Sequence, residues 1–305
     1  MRWRSEQDAA SFVGSASGIH FIRSVYSAVE AEKSRAASPI ESPDQNLVPG
    51  EEDQLPGSNV EPSPKTLWHP YEVPTQMDDG ILVSFGDLLE WSQSYFNDWH
   101  PAYPFLHAPA VLDTFRRISQ APLTHLSQLP PLDLVIVRAI LSVSLADRRQ
   151  QSQRTTAKPV PSLLVFPSFD AAIDSIQATL SAATTTKALQ AVIGVQLFLV
   201  SLLRHNAASR LGGLIVRMAF QIGLHRCPVR YTSFSGEDIQ IRKRIFWTIY
   251  CVDRHLCQSL GLPLTIKDDD LDVCYLSAER HAAKPGVDIG ECYYHSPFAL
   301  TRCTR

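Results

Sequence analysis

The sequence predicts an all-α fold, in which an irregular multi-helix domain follows an N-terminal segment and a linker. Apolar residues recur at spacings of three and four along most of the chain after residue 81, as on one face of a helix. No long segment alternates with period two, and the nearest, 160–166, contains Pro161 and is followed by Pro167, which disfavours a strand. Hydrophobic residues make up 45% of the 305 residues, which is enough for a sizeable core.

Composition divides the chain into three parts. Residues 1–30 form a short N-terminal segment, in which a helical stripe predicts a short helix at Ile22, Val25, Tyr26 and Val29. Residues 31–80 are predicted to be a disordered linker, because proline, serine and acidic residues, densest over 31–66, leave little to bury against the entropy of ordering. The helical domain is placed at 81–305, and we expect it to be truncated at its C-terminus, since no helix-stop signal closes 293–300.

Periodicity in the first half of the domain predicts a series of helices at 87–96, 109–118, 132–145, 169–180 and 187–203. The prolines of the segment 100–107 are expected to break the first of these helices. Pro109 suits the first turn of the second helix, and Ser168 can cap the fourth. The last is apolar on all sides, which predicts the central buried helix of the domain.

The stretch 209–273 predicts two amphipathic helices followed by an acidic turn. The first helix has an apolar face, Leu211, Leu214, Ile215, Met218 and Ile222, and should stop at Gly223. The second has a similar face, Ile241, Ile245, Ile249, Val252 and Leu256. Gly261 and Pro263 should end it, because glycine favours the helix exit and proline cannot continue a helix.

The motifs along this helix pair resemble the fungal-specific transcription factor domain, the middle homology region of fungal zinc-binuclear-cluster transcription regulators. The first motif runs from Arg217 through Gly223-Leu224-His225-Arg226, and the second ends in the acidic run Asp268-Asp269-Asp270-Leu271-Asp272-Val273. A string at 95–107 also resembles the start of that domain. The positions that match the family signature, expected to be structural or regulatory, are Arg217, Met218, Gly223, Leu224, His225, Arg226, Phe246, Trp247, Asp253, Arg254, Gly261 and Pro263.

The resemblance implies the regulatory region of a fungal transcription regulator that acts in the nucleus. Such a region would restrain or transmit activation, respond to a metabolite effector or to the transcription machinery, and could form a homodimer. DNA would be bound only through a zinc-cluster module that is absent from this chain. Two alternatives stay open: a helical small-molecule-binding protein or enzyme on the same scaffold, and a structural interaction module.

The cysteines do not predict a zinc site. A binuclear cluster needs six closely spaced thiolates, chiefly in C-x-x-C pairs, but no cysteine precedes Cys227 and no such pair occurs. Cys251 and His255 lie one helical turn apart, yet two ligands do not complete a tetrahedral site. We therefore expect no cofactor and no metal in this chain. The lack of a cluster could reflect a fragment, a gene-model error or a true truncation, and the sequence does not distinguish these.

Calcium binding and catalysis are also disfavoured. Asp268, Asp270, Asp272 and Glu279 have the spacing of a calcium loop, but Val273 occupies the position where the loop's sharp turn needs glycine. No nucleophile elbow, zinc-protease motif or phosphate-binding glycine loop occurs, so no catalytic residue is assigned and the chain is not predicted to be an enzyme.

Charge and hydropathy limit the kinds of partner that this chain is expected to bind. The formal net charge of −3 argues against a basic nucleic-acid-binding domain. Arg242-Lys243-Arg244 is interpreted as the solvent-exposed face of an amphipathic helix rather than as a localisation signal. The most apolar run, 191–203, contains Gln196 and is too short to cross a bilayer, so no membrane partner is expected.

Helical geometry places Asp253 at the border of an apolar face. A carboxylate at such a border is costly unless it is paired or hydrogen-bonded, so we predict a buried or half-buried structural anion and not a catalytic one. Arg217 on the preceding helix is the preferred partner, and Arg242 on the same helix is the second candidate.

Overall fold

A computed structural model describes residues 67–74, 82–150 and 158–275, together with the backbone of 2–6 and 9–13 and the single residue Val25. At the N-terminus, β1 (Arg2–Glu6) and β2 (Ala9–Val13) pair as an antiparallel hairpin. Sequence periodicity missed this hairpin because β1 contains a single apolar residue and so shows no alternation. Of the helix predicted near 22–29, only Val25 is described, and it is helical; the remainder lies outside the described residues.

The domain that follows is helical, which confirms the predicted fold class, and no strand occurs in the parts of 67–275 that the structure describes. Short 3₁₀ turns lie at Leu123–Gln128, Ser162–Leu164, Pro228–Arg230 and Asp268–Asp270. The α-helices are α1 (Phe85–Ser94), α2 (His100–Ala102), α3 (Ala108–Ser119), α4 (Pro131–Gln150), α5 (Phe169–Asp174), α6 (Ala178–Ser181), α7 (Thr186–Ser201), α8 (His205–Gln221) and α9 (Gly236–Leu260).

The predicted break at residues 100–107 begins too early. A π-helical turn, Tyr95–Trp99, continues from α1 into α2, and the chain leaves the helix only at Tyr103. Pro101 lies at the start of α2, directly after the π-helical turn. The predicted helix 169–180 is instead divided into α5 and α6, although Ser168 caps α5 as expected by accepting a hydrogen bond from the Ala171 N–H.

The predicted C-terminal boundary of the linker, residue 80, is wrong, because residues 67–74 pack on the helical domain. The Trp68 side chain is only 5% exposed, and its Nε1 donates to the carbonyl oxygen of Phe166 at 2.7 Å. Glu72 forms an ion pair with Arg149 of α4. One tryptophan supplies enough apolar area to anchor a segment whose overall composition favours disorder. The rest of the linker, 31–66 and 75–80, lies outside the described residues.

The core is built around α7, as predicted. Every residue from Ala188 to Ser201 is buried, between α4 on one side and α8 on another. Gly194 permits a close approach of two helices, since a Cβ added there would lie 3.0 Å from the Cβ of Ala139 on α4. The buried Gln196 amide donates to the Ala208 carbonyl oxygen of α8 at 3.0 Å, which satisfies a polar group inside the core.

The ends of the last two helices follow the sequence signals. Gly223 terminates α8 with φ +72°, and Gly261 caps α9 with φ +68°, both in the left-handed region that favours glycine. Ser235 begins α9 with a capping box, in which its hydroxyl accepts from the Asp238 N–H and the Asp238 carboxylate accepts from the Ser235 N–H. These residues thereby set the C-terminal end of α8 and both ends of α9.

Candidate functional site

The acidic turn, residues 268–273, folds back against the loop that follows α8. The Asp272 carboxylate accepts from the Cys227 N–H at 2.7 Å and from the Arg230 guanidinium at 2.6 Å. Its own N–H donates to the His225 carbonyl oxygen at 3.3 Å. Arg226 lies farther away, at 3.9 Å from the same carboxylate. Asp272 therefore joins the acidic turn to the loop that follows α8.

Asp253 is a buried anion, as predicted, with 7% of its surface exposed. The predicted partners are wrong: Arg254, the next residue, donates to the Asp253 carboxylate at 3.0 Å. Further hydrogen bonds come from the Thr265 and Ile266 N–H groups at 3.3 and 3.4 Å, after the end of α9. Helical angles alone could not find this arrangement, because the backbone donors belong to the chain that returns past Gly261.

The Arg254 guanidinium connects Asp253 to the acidic turn. It donates to Asp268 at 2.7 Å and lies 4.1 Å from the centre of the Tyr250 ring, a cation–π distance. The Tyr250 hydroxyl also donates to Asp268, at 2.9 Å. Burial, and then this hydrogen bond, raise the pKa of Tyr250. The network holds the turn to α9 through charge-assisted bonds.

The interpretation of Arg242-Lys243-Arg244 as a solvent-exposed face is wrong for its middle residue. Lys243 is only 6% exposed and lies beside the Cys274 thiol, whose pKa it lowers against the larger, opposing effect of burial. The backbone near Cys274 covers this face of α9: Trp247 Nε1 donates to the Cys274 carbonyl oxygen at 3.1 Å, and the Trp247 ring stacks on Tyr275. A tertiary contact thus buries a lysine that its neighbours in sequence suggest is exposed.

A pair of buried thiols lies at the same place. The sulfur atoms of Cys227 and Cys274 are 3.3 Å apart, and neither residue is in a disulfide. Sequence reasoning missed this pair, together with Lys243, because no short spacing signals two cysteines 47 positions apart.

A pocket of about 210 Å³ opens between the C-terminal end of α8 and the N-terminal half of α9. Arg242 lies within it, stacked 4.1 Å from the centre of the Phe234 ring, and donates to the Ile222 carbonyl oxygen at 3.3 Å. Burial lowers the pKa of Arg242. The lining is otherwise mostly apolar and comprises Ile222, Gly223, Leu224, Arg226, Pro228, Tyr231 and Phe234.

The remaining signature residues are mostly structural. Met218, Leu224 and Phe246 are buried in the core, whereas Arg217 is exposed on α8. The His225 ring packs edge-on against Phe220. The Pro263 carbonyl oxygen lies 3.2 Å from the Cys257 sulfur and accepts a hydrogen bond from it. Apart from the exposed Arg217, the signature residues thus serve mainly in core packing, in ending the two helices and in holding the acidic turn.

No group of three or more metal-ligating side chains assembles among the residues that the structure describes. His255 lies beside His205 with ring centres 5.6 Å apart. In the acidic turn, Asp268 and Asp272 are each paired with an arginine. Two of the aspartates that have the spacing of a calcium loop therefore form ion pairs with arginines. Glu279 lies outside the described residues.

Comparison with known proteins identifies the family. The model of the fungal specific transcription factor domain matches residues 92–284. A probable transcription factor of Fusarium proliferatum, FUP6, is 32% identical over 292 residues, which is 89% of this chain. The transcriptional activator protein acu-15 of Neurospora crassa is 28% identical over 179 residues, 58% of this chain. No solved structure matches.

These relatives are longer than the chain. The aligned region covers 39% of the Fusarium protein and 18% of the Neurospora protein. The curated relatives are transcription factors by name, and not enzymes. With the family match extending over more than half of its length, the chain belongs to the family of fungal specific transcription factor domains.

Proposed function

We propose that this chain is the regulatory region of a fungal transcription regulator and controls the activity of a DNA-bound regulator rather than binding DNA itself. The family match over 92–284 carries the proposal. The fold supports this proposal, since most of the signature residues pack in the core or hold the acidic turn. Zinc would belong to a separate DNA-binding module, not to this chain.

The helix pair α8–α9 with its acidic turn is the regulatory element of this proposal. Asp253, Arg254 and Asp272 hold the turn by ion pairs and backbone hydrogen bonds. Contacts of this kind lose their value when one partner leaves, so an element held by them can have two discrete arrangements, one with the contacts formed and one with them released. An effector that binds one arrangement more tightly would shift the population of the two.

The test joins the full chain to a heterologous DNA-binding domain and activation segment, with a reporter gene in yeast nuclei. The regulatory role predicts reporter output that differs several-fold from the same fusion without the chain. Phe198→Ala, which removes a fully buried core side chain, is the control for a folded domain and should abolish the difference. Equal reporter output with and without the chain, at equal protein levels, would contradict the proposal.

Localisation and assembly follow from the same proposal. The regulator would work in the nucleus, with the transcription machinery as partner, and the chain could assist homodimer formation. Within the described parts of the chain, no helix combines the length and apolar character that a bilayer crossing requires. Imaging of a tagged chain and light scattering of the purified protein test the two statements separately.

The pocket beside Arg242 favours a small carboxylate as effector. Its volume of about 210 Å³ suits a small molecule, its lining is mostly apolar and aromatic, and Arg226 and Arg242 supply positive charge at its wall. Apolar walls with a few placed polar groups are typical of ligand sites. An aromatic or branched aliphatic carboxylate would satisfy both features.

Titration calorimetry with benzoate as the probe tests this pocket. Binding should weaken at least tenfold in Arg242→Gln, while Arg217→Gln, an exposed arginine on the neighbouring helix, should bind like the wild type. Equal affinity in both variants, or no binding by the wild type at millimolar benzoate, would refute the carboxylate site without affecting the regulatory proposal.

A further inference from the structure

Two buried thiols meet where the acidic turn joins the α8–α9 loop. Cys227 and Cys274 are 0% and 4% exposed, and their sulfur atoms lie 3.3 Å apart. A disulfide needs a sulfur–sulfur distance of about 2.05 Å, so little more than 1 Å of approach separates the present arrangement from a covalent bond. Such proximity is not produced by the sequence spacing, since 47 positions separate the two residues.

The surroundings hold both cysteines in this position. The Cys227 N–H is bound by Asp272, two residues before Cys274, and the Cys274 carbonyl oxygen accepts from Trp247. The buried Lys243 ammonium lies beside the Cys274 sulfur and favours its thiolate. Lys243 thus lowers the pKa of the Cys274 thiol and offsets part of the effect of burial.

Cys257 differs in this respect. The Cys257 sulfur lies 3.2 Å from the Pro263 carbonyl oxygen and 3.8 Å from the Asp253 carboxylate, so it faces oxygen acceptors and a negative charge. Burial, followed by the charge of Asp253, raises its pKa. Cys257 is therefore a matched control: equally buried, but placed where a thiolate is disfavoured.

We propose that Cys227 and Cys274 are an oxidation site, at which peroxide converts the two thiols into a disulfide that locks the acidic turn to the α8–α9 loop. Reduction by a thiol reductant would release the turn. The inference is independent of the regulatory function proposed above, because it rests only on the positions of the two sulfur atoms and the lysine.

The chemistry balances with hydrogen peroxide as oxidant. The thiolate of one cysteine attacks a peroxide oxygen, the O–O bond breaks, and the sulfur becomes a sulfenic acid while the expelled hydroxide takes a proton to form water. The second thiolate then attacks the sulfenic sulfur, the S–O bond breaks, and a second water leaves. Two thiols and one peroxide give one disulfide and two waters.

Burial sets the rate of this reaction. It raises the pKa of the Cys274 thiol, chiefly by desolvation, and Lys243 offsets only part of that increase. Because the thiolate is the reacting form, oxidation should be slow at pH 7 and clearly faster at pH 9. Lys243→Met should slow oxidation at both values, whereas an exposed lysine such as Lys158 changed to Met should not.

The experiment treats the full chain with hydrogen peroxide and maps peptides without reduction. Cys292 and Cys303 are replaced by serine to simplify the products. We expect a Cys227–Cys274 crosslink and an intact mass lower by two hydrogens, both reversed by dithiothreitol. Cys227→Ser and Cys274→Ser should each abolish the crosslink, while Cys257→Ser should leave it unchanged.

A stability measurement supplies the second readout. A crosslink between positions 47 residues apart restricts the unfolded chain, so the oxidised protein should melt about 5 °C or more above the reduced protein. Cys257→Ser should retain this difference, and Cys274→Ser should lose it. Irreversible oxidation without a crosslink, or crosslinking of Cys257 at the same rate, would overturn the proposal.

Discussion

The two halves of the helical domain are held together by different forces. Around α7, the contacts with α4 are mostly apolar, with one ion pair between Lys187 and Asp133 at the start of α7, and Gly194 allows the backbones to approach closely. Around α9, the acidic turn is held by Asp253, Arg254 and Asp272 through ion pairs and backbone hydrogen bonds. Apolar burial gives stability without direction, whereas charged hydrogen bonds define one geometry and lose their value when a single partner leaves. The first region should therefore fix the fold, and the second should be the part that can respond.

Phe198→Ala tests the apolar half. This side chain is fully buried on α7 and packs against the rings of Phe166, Phe169 and Trp68. Its removal should lower the free energy of unfolding by about 3–5 kcal/mol, because a large cavity replaces many contacts. Urea unfolding measures the change. Leu180→Ala, at an exposed position, is the control and should stay within about 0.5 kcal/mol of the wild type.

Asp253→Ala tests the polar half. We expect a loss of about 2–4 kcal/mol in the free energy of unfolding, because the Thr265 and Ile266 N–H groups and one side of Arg254 lose their acceptor. Asp253→Asn should cost less, since the amide oxygen can still accept hydrogen bonds. A result for Asp253→Ala within about 0.5 kcal/mol of the wild type would show that the ion pair has no structural weight.

Ser235→Ala weakens the start of α9 without touching the turn. It removes the hydroxyl that accepts from the Asp238 N–H, so the free energy of unfolding should fall by about 1 kcal/mol. Ser119→Ala, which removes an exposed hydroxyl at the end of α3, is the matched control and should change little. Thermal melting distinguishes them. Equal melting temperatures would mean that the cap of α9 frays at no cost.

Acid should weaken the domain gradually. Burial lowers the pKa of His100 and His205, so both are held neutral in the folded state and take up protons more readily when unfolded. Stability is then unchanged above the ordinary histidine pKa of about 6.5, and is lost as pH falls from there towards the lowered values. His205→Gln should flatten the decline of melting temperature between pH 7 and 5. An unchanged slope in His205→Gln would exclude His205 as its source.

Local sequence signals were sufficient for the fold class and for most helices of the domain. The apolar character of α7, the glycines that end α8 and α9, and the serine that caps α5 act within a few residues, so periodicity and capping preferences reveal them. The burial of Asp253 was also predicted correctly, from helical angles, although its partners were not. The family signature likewise located the region around the acidic turn.

Contacts between residues that are far apart in the sequence were revealed only by the tertiary structure. Arg254 rather than Arg217 binds Asp253, because the chain after Gly261 returns over α9 and brings Asp268 to the same guanidinium. Trp68 belongs to the core although its segment resembles a linker, since one buried ring outweighs the local composition. Lys243 is buried, and Cys227 contacts Cys274, because the chain after α9 packs on this helix and on the loop that follows α8. Such contacts depend on how distant segments pack in space, and residue spacing along the chain carries no record of that packing.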